Sequence, residues 1–361
     1  MSNILKSFQA MDFAPRPEDV IVAVMGMTGS GKSTFISQCI GQNIGIVGHG
    51  LQGYTQAVDC YMFPYSDSVN VYLVDTPGFD DTTLTDSDVL RAIAAWMSDT
   101  YKKEIMLNGI IYLHRITDPR MQGSALKNLH IFRKLCGTNA LTHVTLATTM
   151  WEAVQTLDGE RRERELLDTS DFWGQMHQNG AIVERHYNNR ESAMRILEKY
   201  IGGERTATSL QVEMVKGKKD LIDTEAGIEL NSEYRKIEDK LKKELQITSE
   251  ELRKAQQNKD REMAAEMERY QREVNEKLAK VQMEREDLKV DLAKLLAATK
   301  LFGTMPRSSN RNSSDQPSAP RGKMRPARKL DMLKGLLGIG PKIEMAEVEN
   351  EEEYRMKKST G

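Results

Sequence analysis

Cysteine is scarce: Cys39, Cys60 and Cys136 are the three in 361 residues. An odd, scattered set makes neither a disulfide framework nor a metal-ligand spacing, and a reducing, cytoplasmic home is expected. No run of about 18 apolar residues occurs, which excludes a membrane-spanning helix. The first 19 residues mix polar positions with Pro15 and Pro17 and lack the apolar core of a signal peptide. Neither sign of charge dominates. Fifty-one Lys and Arg against 53 Asp and Glu leave −2 overall, so no global field points to nucleic acid. Another absence is local. Residues 231–301 contain no proline and no glycine, so nothing there interrupts a helix.

Val20-Ile21-Val22-Ala23-Val24-Met25 is a β-branched apolar run suited to a buried strand. It leads into Gly26-Met27-Thr28-Gly29-Ser30-Gly31-Lys32-Ser33, which fits G-x-x-x-x-G-K-[ST], and Thr34 to Ile40 reads as a helix. The residue types suit a bound triphosphate. Gly29 and Gly31 let the backbone wrap a phosphate and aim its N–H groups inward. The helix start adds the positive end of its dipole. Lys32 is expected on the β- and γ-phosphates, the Ser33 hydroxyl on Mg²⁺, and the Thr34 N–H on an α-phosphate oxygen. Gly26, Thr28, Gly29, Ser30, Gly31, Lys32, Ser33 and Thr34 form the expected nucleotide-binding loop. The motif does not choose between ATP and GTP.

Segments 56–65 and 68–74 read as two strands of a hairpin turning at Pro64-Tyr65-Ser66-Asp67. The second runs into Asp75-Thr76-Pro77-Gly78. An Asp ending a buried strand can hold Mg²⁺ through a water, and Gly78 can offer its N–H to a γ-phosphate. Ser87 or Asp88 is the expected cap of a helix running to about Lys103, with Val89, Leu90, Ile93, Trp96 and Met97 on one face. Strands are expected over 108–114, 142–147 and 181–186, with helices over 125–136, much of 150–176, and 191–200. This alternation predicts an α/β fold, a mostly parallel sheet covered on both faces. Its ligand site should lie at the carboxyl ends of the strands. An N-terminal arm (1–18) precedes this P-loop domain (19–207).

The character changes near Thr208. Met267, Val274, Val281, Leu288 and Leu295 recur every seven residues, with Met263, Tyr270, Leu278 and Leu292 three or four away. Lys277, Glu284 and Asp291 occupy the strict second core positions, so the seam is narrow. The helical region (208–301) is expected to form a parallel coiled-coil dimer, the alternative being an amphipathic helix folded back on its own domain. Residues 302–361 read as a disordered tail, a basic linker followed by an acidic run. It is a solvated tail or a weak contact with an anionic membrane surface.

With the P-loop, a threonine-bearing loop and Asp75-Thr76-Pro77-Gly78, the chain resembles the translation-factor-class GTPases. It looks most like the septin-related branch that includes the immunity-associated GTPases and chloroplast import receptors. It is also similar to fungal proteins joining one such G domain to a C-terminal coiled coil. The resemblance covers about Glu18 to Gly203. It implies GTP and Mg²⁺ as ligands, Thr55 as a switch threonine closing onto Mg²⁺, and Asp75 and Gly78 as the second switch. It also implies a base-reading asparagine at Tyr187-Asn188-Asn189, assigned to Asn189. His114-Arg115-Ile116-Thr117 looks like the family's Arg-x-Thr segment, so Arg115 is a candidate catalytic residue acting across a homodimer; a surface ion pair is the plain alternative. Thr55 and Gly78 complete the catalytic set. His49 is a second, lesser water-positioning candidate. The guanine motif [NT]-K-x-D is missing: Ala147-Thr148-Thr149-Met150-Trp151 stands in its place. Thr149 and Trp151 are expected at the base, the latter by stacking. Phe79 follows Gly78 where Ras-like enzymes have a water-orienting Gln, so hydrolysis should be slow. The readings left open are a GTP switch, a coiled-coil scaffold with structurally bound nucleotide, and a P-loop ATPase.

Overall fold

The central strand β1 (Val20–Gly26) is buried along its whole length. Its alternate residues enter two cores: Ile21, Ala23 and Met25 face one, Val20, Val22 and Val24 the other. A strand covered on both faces needs such a continuous apolar run. In this computed structural model, residues 15–41, 58–81, 84–121 and 123–302 are described, with side chains to 297. Residues 1–14 of the N-terminal arm, His49, Thr55 and the tail beyond Phe302 lie outside the described residues.

The chain continues through α1 (Lys32–Ile40), β2 (Asp59–Pro64), β3 (Asn70–Asp75), α2 (Asp86–Lys102), β4 (Gly109–Arg115), α3 (Ser124–Cys136) and β5 (Val144–Thr149). Then follow α4 (Thr156–Asp168), the short α5 (Gln175–Gln178), β6 (Ile182–Arg185), α6 (Arg190–Glu198) and the short α7 (Ser209–Gln211). The strand order is β2-β3-β1-β4-β5-β6. All neighbours are parallel except β2, which pairs antiparallel with β3 at one edge. This is the expected mostly parallel sheet with its hairpin. The register aligns Val24 with Asp75, Gly26 with Leu113, and Arg115 with Thr149. The loop after β1, Asp75, Arg115 and Thr149 therefore share one edge of the sheet. Helices α1 and α6 cover one face, and α2 and α3 the other.

The start of α2 differs from expectation. Thr85 is the cap: its hydroxyl accepts from the Asp88 N–H at 3.1 Å, and the Asp88 carboxylate accepts from the Thr85 N–H at 3.3 Å. Thr and Asp three apart satisfy two helix-end donors reciprocally. Ser87 lies inside the helix, fully buried, with its hydroxyl turned to a neighbour described below.

The helical region also departs from expectation. It is three helices, α8 (Glu225–Gln257), α9 (Arg261–Asp287) and α10 (Leu292–Phe302). The chain turns at Asn258-Lys259-Asp260, where Lys259 has φ 56° and the Asp260 carboxylate caps α9 through the Met263 N–H. A backbone break of this kind needs neither proline nor glycine, only a residue that tolerates the left-handed region and a good cap. Helices α8 and α9 form an antiparallel hairpin: Asn231 bonds Arg285, Glu238 bonds Gln282 and Ser249 bonds Gln271. Met267 and Val274 are buried, whereas Leu288 and Leu295 enter the main core. The heptad seam is thus occupied within the chain, the fold-back alternative. Leu230 and Tyr234 of α8 join the same core, and α8 packs along α3. No helix among the described residues is long and apolar enough to cross a membrane.

Candidate functional site

The loop after β1 turns through three glycines with positive φ: Gly26 at 140°, Gly29 at 76° and Gly31 at 96°. A Cβ at Gly26 would meet the Leu113 carbonyl at 2.4 Å, so only glycine fits where the loop leaves the sheet. The Ser30 carbonyl accepts from the Thr149 hydroxyl at 3.0 Å, which ties the loop to the end of β5. Lys32 opens α1 and folds back under the loop. Its ammonium donates to the carbonyls of Gly26 at 3.1 Å and Met27 at 3.0 Å. It is 7% exposed. Burial pushes its pKa down to about 8, opposed by Asp75 and Asp81.

Ser33 and Thr34 follow in the first turn of α1, both half-buried. The Ser33 hydroxyl donates to Asp75 Oδ2 at 2.8 Å, joining the start of α1 to the end of β3. Thr76 donates its hydroxyl to the Val24 carbonyl at 3.0 Å and so fixes the turn after Asp75. Gly78 then passes directly against the loop, since a Cβ there would stand 2.5 Å from the Thr28 nitrogen. The Thr28 N–H donates to the Phe79 carbonyl at 3.0 Å, and its hydroxyl to Asp81 at 3.2 Å. Phe79 itself is buried in the core.

Arg115, at the end of β4, donates through Nε to Asp118 at 3.1 Å. Its Nη1 lies 3.4 Å from where a Cβ of Gly29 would stand, at the loop's rim. The 31% exposure of its side chain leaves it reachable from outside.

Beyond β5 lies a second cluster. Trp151 is buried, donates its indole N–H to Thr148 at 2.9 Å, and carries the Arg185 guanidinium over its ring at 4.3 Å. Arg185 is held in turn by Glu163. The ring is therefore a wall of the fold rather than an open stacking face. Asn189 caps α6, its side-chain oxygen accepting from the Ser192 N–H at 2.9 Å. Asn188, also exposed and with φ 52°, carries the amide that is not used in the cap. It bridges Gln38, at 2.7 Å, and Glu152, at 3.3 Å.

Glu152 was missed by the sequence reasoning. Thr149-Met150-Trp151-Glu152 has the spacing of [NT]-K-x-D, with Met for Lys and Glu for Asp. Only a pattern relaxed at both the lysine and the carboxylate position matches it. Met150 adopts φ 63°, which turns the chain sharply so that Glu152 follows at the exposed edge.

A family model described as 50S ribosome-binding GTPase matches residues 21–125. That span runs from β1 to the start of α3 and includes the loop, Ser33, Asp75, Gly78 and Arg115. With the sheet order above it makes the fold a P-loop G domain followed by a helical region. No curated protein matches the chain significantly. Among solved structures, Toc33 from Arabidopsis thaliana in complex with GDP and Mg²⁺ is 15% identical over 51% of this chain and 83% of that chain, with a TM-score of 0.40. A chloroplast translocon component from work on atToc33 and psToc159 is 12% identical over 53% and 86%, at 0.44. Era from Aquifex aeolicus bound to GDP and AlF4⁻ is 12% identical over 52% and 58%, at 0.38.

Proposed function

We propose that this chain is a Mg²⁺-dependent GTP-binding switch that hydrolyses GTP slowly. The observation that carries the proposal is the juxtaposition of a glycine-turned loop, a buried lysine beneath it, and the Ser33–Asp75 oxygen pair at 2.8 Å. These groups converge at the carboxyl edge of a parallel sheet, where phosphate ligands bind. The loop N–H groups and Lys32 neutralise the β- and γ-phosphates. Thr34, one residue into α1, offers its N–H to the α-phosphate.

The oxygen pair suits a hard divalent cation: Ser33 would ligate Mg²⁺ directly and Asp75 through water, with Thr55 completing the set. Mg²⁺ would supply neutralisation of phosphate charge. Glu152 accepts the two guanine N–H donors, with Thr149 and Asn188 at the same edge. Adenine presents no such donor pair, so the carboxylate favours GTP over ATP.

Slow turnover follows from Phe79. Its side chain is buried, and it stands directly after Gly78, where a polar side chain would orient water. Arg115, reachable at the rim of the loop, supplies the missing charge to a second copy of the chain when two domains meet across the nucleotide.

The test is the affinity for labelled GTP and ATP, each with Mg²⁺, with Lys32→Ala as control. A GTP preference lost in Lys32→Ala is expected. Equal or ATP-favoured binding would make the chain a general NTPase, and no binding to either would leave a scaffold.

A further inference from the structure

The segment after Asp75 touches two things at once. On one side it closes on the P-loop through the Thr28–Phe79 and Thr28–Asp81 hydrogen bonds. Gly78 leaves no room for even one extra carbon against Thr28. On the other side it reaches the start of α2. The Asp80 N–H donates to the Asp86 carboxylate at 3.1 Å, Asp80 accepts from Ser124 at 2.9 Å, and Asp86 is paired with Lys127 of α3. The next residue, Ser87, donates its hydroxyl to the Glu284 carbonyl of α9 at 2.7 Å and lies 3.0 Å from the Tyr234 hydroxyl of α8. Both helices of the hairpin therefore meet on one buried serine, one residue from the carboxylate that holds Asp80.

We propose that the α8–α9 hairpin is a nucleotide-controlled element whose docking on Ser87 stabilises the closed form of the segment after Asp75. The proposal rests on the nucleotide reading above. Its physical basis is volume and linkage. A γ-phosphate held by Gly78 and the loop needs space that Thr28, Gly78 and Phe79 fill here. Admitting it requires the Thr28 contacts to part and Asp80 to move. Asp80 is bonded to Asp86, so the first turn of α2 moves with it, and Ser87 cannot keep both hairpin partners. Docking and triphosphate binding then oppose one another, and the opposition is reciprocal. A diphosphate leaves the Thr28 contacts in place and is indifferent to docking. The two ends of this path are about 200 residues apart in sequence, yet no more than a few side chains lie between them.

The experiment uses the full chain with Mg²⁺ and either GDP or the non-hydrolysable analogue GMPPNP. Binding of each is measured first, then amide hydrogen exchange over α8 and α9. Protection over residues 230–241 and 278–287 is expected to fall with GMPPNP relative to GDP. Tyr234→Phe, which keeps the ring and removes the hydroxyl, is expected to raise GMPPNP affinity about fivefold and leave GDP affinity unchanged. Equal protection with both nucleotides bound, or an equal effect of Tyr234→Phe on both affinities, would overturn the coupling while leaving the nucleotide reading intact. Failure of either nucleotide to bind would overturn the reading and the coupling with it.

Discussion

Replacing Lys32 with methionine should stabilise the nucleotide-free protein near neutral pH while abolishing nucleotide binding. The ammonium is buried under the loop, and its pKa is pushed to about 8 from the ordinary 10.5. Holding that charge in the fold costs about 3 kcal/mol. Methionine has a similar shape and no charge, so this cost disappears. The Gly26 and Met27 carbonyls then lose a donor, at about 1 kcal/mol each. The net gain is about 1 kcal/mol at pH 7, or about 2 °C in melting temperature for a domain of this size.

The sign of the pH dependence makes the prediction sharper. Below pH 8 the lysine is charged in both folded and unfolded protein, and the cost is constant. Between pH 8 and 10.5 the folded protein has released the proton and the unfolded chain still holds it. Wild-type stability therefore gains up to about 3 kcal/mol from this group as pH rises through that window. The variant lacks the group and lacks the gain. Its advantage at pH 7 should become a deficit of about 2 kcal/mol by pH 10.5. Urea unfolding of both proteins without nucleotide, at one-unit steps from pH 7 to 10, checks this. Stability curves that run parallel across the range would refute the reasoning.

Glu152→Gln should narrow the preference for GTP over ATP by at least tenfold, since a carboxylate–donor pair outweighs a neutral one by about 1.5 kcal/mol or more; competition binding measures it. Arg115→Ala should leave GDP affinity within about twofold and slow GTP hydrolysis by about 10³-fold at concentrations where two chains meet, as loss of a trans-acting arginine does; phosphate release against protein concentration is the assay. Gly109→Ala should destabilise the fold by about 1–3 kcal/mol, because its Cβ would stand 2.0 Å from the ring of Tyr200. Tyr200 cannot give way, since its hydroxyl is bonded to Thr145 at 2.6 Å; thermal melting reads the effect.

The strand–loop–helix unit from Val20 to Ile40 was legible because each of its parts has a local cause: an apolar run, glycines at positive φ, a helix start. Asp75 was legible for the same reason. The antiparallel hairpin at the sheet edge was too, since Pro64 to Asp67 is turn chemistry. The cap of α2 was misplaced because Ser87 looks like a capping residue in isolation, and only the packed hairpin shows why a hydroxyl is buried there. The turn at Lys259 was invisible to a rule that expects glycine or proline at a break. Periodicity showed the apolar seam of α9 but not its partner, since a seam buried by its own chain and one buried by a second copy have the same pattern. Glu152 escapes strict motif matching because Met150 and Glu152 stand where the motif has Lys and Asp, and which of Asn188 and Asn189 caps α6 is decided by backbone conformation that the sequence does not display.

The contribution of Leu230, Tyr234, Leu288 and Leu295 to the main core has a consequence in time. The last strand of the sheet ends at Arg185, and Leu288 lies about a hundred residues later. At about 5–20 residues per second of synthesis, several seconds separate them. During that interval α2 and α3 have only α7 and the turn after it against their outer apolar faces, and lack the cover of the hairpin. A chain interrupted between them would display those faces to chaperones and proteases. The docked hairpin is therefore also the point at which the growing chain ceases to be a client of either.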